Sequence, residues 1–245
     1  MSDNQFREKP CSLCDDCRLC EAVSYQSDED RITAVVRETV VRVIDQFTGA
    51  VDPGFDLPVG VSARHLHVTQ RDLEVLYGSG HQLRNMRSLQ GPGEFAAEET
   101  VTLVGPNMRA LQGVRILGPC RTMTQVELSS TDGVYLGIAL PLRASGDVDG
   151  SAPITIIGPN GGLNLAHGAI RADRHLHIDP RLASQFGVEE GQYVQVDVPG
   201  PASLTFNHVR IRVNDGFDPP AMHIDTDDGN AAGLKCGDIV RAVVK

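Results

Sequence analysis

Tryptophan is absent from this chain, and aromatic residues of all kinds make up only 4% of it. A sizeable core is still within reach, because apolar residues reach 41% of 245 positions, but it rests on aliphatic side chains. Positive charge is also scarce. Lys and Arg number 22 against 32 Asp and Glu, a net charge of −10. That balance disfavours nucleic acid as a partner, while leaving room for a local basic pocket that takes an anionic ligand. No apolar run approaches the roughly 18–20 residues that a membrane-spanning helix needs. The opening MSDNQFREKP lacks a hydrophobic signal region, so a cytosolic chain is expected. No Walker motif occurs, and no GxGxxG opens a helix after a strand, so nucleotide sites of those kinds are not supported. No GxSxG elbow argues for a serine hydrolase. Cys120 and Cys236 stand isolated and read as small apolar residues rather than nucleophiles.

What the chain does contain is the tetrapeptide Arg-His-Leu-His, twice. The copies, Arg64–His67 and Arg174–His177, hold four of its eight histidines. Side chains on a strand repeat every two residues, so each HxH pair directs both imidazoles to one face. Two such pairs converging on one site would present four neutral nitrogen ligands, a set suited to zinc. His223 in AMHIDTDDGNAAG and Glu127 in TQVELSS, both on expected strands, are further ligand candidates. Asp225 and Asp227 follow His223 and read either as carboxylates that orient a ligating imidazole or as turn caps. Arg121, in GPCRTMTQVE, reads as an anion clamp beside a metal or as a surface ion pair. Arg64 and Arg174 sit next to the histidines, yet neighbouring strand residues point to opposite faces. His81, His167 and His208 lack such context; His167 reads first as a hydrogen-bonded loop residue.

From residue 54 onward, short alternating apolar runs are punctuated by Gly, Pro, Asn and Asp, a texture of barrels or a sandwich. Short helices are expected after Thr69 and after Asp179, each directly following an RHLH strand. VGPN at 104–107 is echoed by IGPN at 157–160. With the RHLH copies, this internal duplication predicts two related barrels with a site between them. ASGDVDGSAP, residues 144–153, is expected to be a mobile loop, since it lacks the acidic spacing of a calcium loop.

The first 30 residues carry eight acids and three bases and predict a flexible tail. Within them Cys11, Cys14, Cys17 and Cys20 form CxxCxxCxxC, a set able to ligate an iron–sulfur cluster or zinc. Over residues 28–47, Ile32, Val35, Val36, Val40, Val43, Ile44 and Phe47 share one helical stripe. The stripe would bury against the body of the protein, a second subunit or an outside partner.

The segments GVSARHLHVTQRDLEVLYG, GPCRTMTQVELS, ADRHLHIDP and MHIDTDDGNAAG, taken in order, resemble the phosphate propanoyltransferase family, the phosphotransacylases associated with bacterial microcompartments. The resemblance covers nearly all of residues 56–245 and none of the first 30. It implies a mainly β fold of two tandem six-stranded barrels, with short helices and an N-terminal helix. Residues 64–172 would form one barrel and residues 50–63 with 173–245 the other, leaving 1–49 as tail and helix. It also implies transfer of an acyl group between coenzyme A and phosphate at a two-zinc site. His65, His67 and Glu127 would hold the zinc that meets the coenzyme A sulfur. His175, His177 and His223 would hold the second, and Arg121 would bind phosphate. A homodimer or higher oligomer is expected, as is docking to microcompartment shell or cargo proteins through the N-terminal segment. A non-catalytic zinc-stabilised scaffold and a metal-dependent thioester hydrolase are the competing readings.

Overall fold

The alternating texture resolves into fourteen strands and four short helices in a computed structural model that describes residues 54–244, together with five helical positions (32, 33, 35, 36 and 39). Residues 52–245 form one unit, and the earlier helical positions belong to another. The CxxCxxCxxC run, the acidic tail, most of the 28–47 stripe and the docking role expected of it lie outside the described residues. No described helix is long and apolar enough to cross a membrane.

In chain order the elements are β1 (Phe55–Ser62), β2 (His65–His67), α1 (Gln70–Tyr77), β3 (Asn85–Ser88), β4 (Phe95–Val104), β5 (Ala110–Gly118), β6 (Gln125–Glu127), α2 (Ser130–Leu136) and β7 (Leu142–Arg143). There follow β8 (Ala152–Ile157), β9 (Gly162–Ala172), β10 (His175–Ile178), α3 (Pro180–Phe186), β11 (Tyr193–Val198), β12 (Leu204–Val213), β13 (Ala221–Asp225), α4 (Thr226–Ala232) and β14 (Ile239–Val243). One barrel closes in the order β1-β13-β10-β12-β11-β14. The strand before the first RHLH therefore pairs with the C-terminal strands. The second runs β4-β5-β2-β6-β9 and closes through β8, which pairs both β9 and β4. Strands β3 and β7 are appended to β4 and β9.

Each barrel interior is filled by alternate residues. Leu57, Leu176, Ile178, Val196, Ile211 and Val240 are buried in the first, and Leu66, Leu103, Ile116, Val126 and Ile156 in the second. Leu66 and Leu176, the central leucines of the two RHLH copies, are completely buried. Their inward anchoring sends the flanking histidines to the outer face. Full burial of one such leucine contributes roughly 1.5–3 kcal/mol.

The helices after Thr69 and Asp179 form where expected. Thr69 accepts from the Asp72 amide, and Asp179 accepts from the Arg181 amide with Pro180 at the first helical position. Two further helices, α2 and α4, were not expected; α2 takes in Val134–Leu136, the start of VYLGIALPLRAS, which read as one of the alternating apolar runs. Ser129 and Asp132 make a reciprocal capping box at the start of α2, and Asp225 accepts from the Asp228 amide at the start of α4. The GPN echo does not fall one copy to each barrel. Both copies lie in the second barrel, and each seats a helix end: Asn107 donates to the Tyr135 carbonyl of α2, and Asn160 to the Val75 carbonyl of α1. A Cβ on Gly105 or Gly158 would lie 2.0 or 2.5 Å from the carbonyl oxygens of Leu136 or Leu76, so only glycine admits this approach.

Candidate metal centre and cleft

The two RHLH strands are read by their neighbours in the same way. In the second barrel β2 lies antiparallel to β6, with His65 directly opposite Glu127. In the first, β10 lies antiparallel to β13, with His175 directly opposite His223. Residues facing each other across an antiparallel ladder bring their side chains within about 5 Å at the Cβ. Each HxH pair thereby gains a third donor from the strand beside it. His65, His67 and Glu127 form one cluster and His175, His177 and His223 the other, each with its potential ligand atoms within 4.8 Å of one another.

The hydrogen bonds suit metal ligation. His65 Nδ1 lies 2.9 Å from the Ala63 carbonyl, His175 Nδ1 2.8 Å from the Asp173 carbonyl, and His177 Nδ1 2.7 Å from Asn214 Oδ1. Carbonyl oxygens only accept, so each Nδ1 carries the proton and Nε2 keeps its lone pair. His223 Nε2 is buried with no hydrogen-bond partner among the described residues, as a nitrogen awaiting a metal would be. Burial holds His67 and His223 down at about 3 and His175 at about 4, with the charge of neighbouring histidines adding to the effect at all three. Burial also lowers His177. All are neutral near pH 7, the form that binds metal. Burial pushes the Glu127 carboxyl up, but His65, the Ser145 hydroxyl, His67 and His175 outweigh it and hold the group at about 2. Each triple could hold a divalent metal ion.

The two triples lie close together. Members of both line a cavity of about 20 Å³, room for about one water. In front of them opens a cleft of about 850 Å³, within the range of ligand-binding clefts. All six candidate ligands line it, together with Arg121, Glu94, Ser145, Arg212 and Cys236.

The remaining sequence candidates divide cleanly. Arg64 and Arg174 turn away from the histidines. Arg64 grips Asp132 with Nε and Nη2 at 3.1 and 2.7 Å, and Arg174 grips Asp228 with both groups at 2.8 Å. Asp225 and Asp227 act as caps: Asp225 on its own helix, Asp227 on the Thr131 amide of α2 across the seam between barrels. Asp225 also pairs with Arg171 at 2.7 Å. Arg121 lies in the cleft, ion-paired to Glu94 at 2.9 Å. His167 hydrogen-bonds the Ser151 carbonyl, His81 pairs with Glu99, and His208 packs on Tyr193. The 144–153 loop is fastened at its start rather than wholly mobile. Ser145 Oγ donates to Glu127 Oε1 at 2.6 Å, and the Gly146 amide donates to Gln125.

Sequence reasoning missed Asp132, Asp228, Ser145, Glu94 and Arg212. A signal existed for the first two. VELSSTDG (126–133) and MHIDTDDG (222–229) place a ligand, a helix cap two residues on, the arginine-gripping aspartate five on and a glycine six on, in identical spacing.

A family model described as Phosphate propanoyltransferase matches residues 58–235. A protein of that name from Lachnoclostridium phytofermentans is 47% identical over 212 residues, covering 86% of this chain and 98% of its own. One of the same name from Rhodopseudomonas palustris is 42% identical over 224 residues (85% and 98%), and one from Thermotoga maritima 47% over 193 residues (78% and 90%). With a family match over most of the chain and relatives this similar along nearly their whole length, the chain belongs to the phosphate propanoyltransferase family and is an acyltransferase.

Proposed function

We propose that the protein moves a short acyl group between coenzyme A and inorganic phosphate (acyl-CoA + phosphate = acyl phosphate + CoA) at a two-zinc site in the cleft. The observation that carries this reading is the paired, unequal ligand set, His65/His67/Glu127 beside His175/His177/His223, facing one 850 Å³ cleft. The donors suit zinc, since neutral imidazole and carboxylate oxygen are both among its usual ligands. When bound, zinc would supply Lewis-acid chemistry, stabilising the departing thiolate at the first triple and reducing the charge on phosphate at the second.

The chain's own residues do the rest. Phosphate oxygen attacks the thioester carbonyl, the C–S bond breaks, and the electron pair leaves with coenzyme A sulfur. Arg121 binds the attacking phosphate; Glu94 engages only its Nη2, so other guanidinium N–H groups can donate. Ser145 and Gln125 donate to Glu127 Oε1, each at 2.6 Å, and orient that carboxylate. Holding both reactants in one cleft supplies the orientation term. No covalent acyl-enzyme is needed. Burial raises the Cys120 thiol, which keeps it protonated and poorly nucleophilic.

The test is to incubate the zinc-loaded protein with propionyl-CoA and follow free thiol with and without phosphate. Thiol release that requires phosphate and is matched by acyl phosphate supports the reading. Release independent of phosphate makes the protein a thioester hydrolase, and no release in either case removes the proposal.

A further inference from the structure

The two halves of the site share a strand plan but differ at a second position besides the third ligand. Each RHLH strand has a parallel neighbour as well as the antiparallel one that supplies the third ligand. In the second barrel that neighbour is β5, where Arg115 lies level with His65. In the first it is β12, where Arg210 lies level with His175 and Arg212 with His177. Two residues beyond the paired arginine stand Leu117 on β5 and Arg212 on β12. Both line the cleft. The pseudo-symmetric position is thus apolar beside the His/His/Glu triple and cationic beside the His/His/His triple.

Arg212 is also electrostatically available. Among the described residues it makes no ion pair, whereas Arg121 is held by Glu94 and Arg64 by Asp132. Of the acids around it, Asp173 feels its charge without forming an ion pair, and Glu190 spends a carboxylate oxygen on the Val213 amide at 2.6 Å. Two other arginines line the cleft: Arg115 on β5 spends its Nη1 on the Ala97 carbonyl at 2.6 Å, and Arg87 is exposed on β3, a strand appended to β4 that pairs with neither RHLH strand. A half-buried guanidinium with no carboxylate partner, beside a metal-binding triple, is built to receive an anion.

We infer that Arg212 is a second phosphate-binding residue, gripping the oxygens of inorganic phosphate in one direction and of the acyl phosphate in the other, while Leu117 leaves the matching position of the opposite half without a cation. This rests on the acyl-transfer reading above, and it makes the unlike neighbours Leu117 and Arg212, as well as the unlike ligand sets, the source of the site's polarity. The phosphates of coenzyme A are the competing anions.

The test uses the zinc-loaded protein and its R212Q and R212K variants, with zinc content measured in each. Thiol release is followed with phosphate and propionyl-CoA varied separately, and phosphate binding is measured by calorimetry without acyl-CoA. Loss of one charge-assisted bidentate contact predicts a KM for phosphate raised roughly 10- to 100-fold in R212Q. The KM for propionyl-CoA stays within about 2-fold, as expected if its phosphates bind elsewhere. R212K falls between, because it keeps the charge and loses the fork. Unchanged phosphate affinity in both variants overturns the inference. So does a rise confined to the KM for propionyl-CoA, which would assign Arg212 to the phosphates of coenzyme A. Calorimetry separates this failure from that of the transfer reading, since it reports phosphate binding whether or not the wild type turns over.

Discussion

Replacing Asp228 by Asn should damage the protein more than replacing its counterpart Asp132. Asp228 is largely buried and receives two guanidiniums: Arg174 through both Nε and Nη2 at 2.8 Å, and Arg171 through Nη2 at 3.1 Å. Asp132 receives only Arg64, whose side chain is 44% exposed. Breaking a fully buried ion pair costs about 3–5 kcal/mol. The arginines on Asp228 are 24% and 31% exposed, so solvent discounts that to about 2–3 kcal/mol. For Asp132 the greater exposure of Arg64 leaves about 1 kcal/mol. In a unit of this size 1 kcal/mol shifts Tm by roughly 2–4 °C, so Asp228→Asn should fall by about 4–12 °C and Asp132→Asn by about 2–4 °C. Because the clamp ties the RHLH strand to the helix that follows the third ligand, Asp228→Asn should also release metal from the His175/His177/His223 triple about 10- to 100-fold more readily. Differential scanning calorimetry and chelator-driven metal release measure both effects. A change in Tm below about 1 °C for Asp228→Asn, or a larger loss for Asp132→Asn, would refute the reasoning.

Ser145→Ala removes one 2.6 Å donor from Glu127 and should weaken metal binding at the first triple about 10-fold while sparing the second, read by metal content after dialysis. His65→Ala and Arg121→Ala should each abolish phosphate-dependent thiol release with the circular-dichroism spectrum preserved; near wild-type turnover in either removes the assigned role. Leu66→Ala, at a fully buried position between two ligands, should cost about 2–5 kcal/mol, measured by urea denaturation. The metal-free protein should be acid-labile. His67, His175 and His223 stay neutral in the fold down to about 3, 4 and 3, whereas their unfolded value is 6.5. The unfolded chain therefore takes up protons first, and stability falls as pH drops below 6.5 toward those folded values. Three such groups remove up to about 4 kcal/mol between about pH 7.5 and about pH 5.5, and bound metal should shift the loss to lower pH.

The barrels were legible because strand alternation and turn residues are local signals, and the HxH pairs because period-2 spacing fixes a shared face. The partners Glu127 and His223 stood out as chemistry, but only register shows why they are third donors: each lies opposite the first histidine of its strand. Helices α2 and α4 escaped because Ser, Thr, Asp and Gly dominate their sequences, and those residues favour turns unless a cap and tertiary packing decide otherwise. The GPN echo was visible, but its meaning was not. It marks two helix seats within one barrel, a packing requirement that sequence similarity alone cannot distinguish from duplication of barrels. Arg121 read either as an anion clamp or as a surface ion pair; the partner it has, Glu94, 27 residues earlier, is brought to it only by the fold.

Two separate metal positions are the heart of this account, and native mass spectrometry of the zinc-loaded chain counts them directly. The account predicts two ions per chain in the wild type, and one in each of Glu127→Gln and His223→Gln, with none in the double variant. A single ion in the wild type, lost by either substitution, would contradict it.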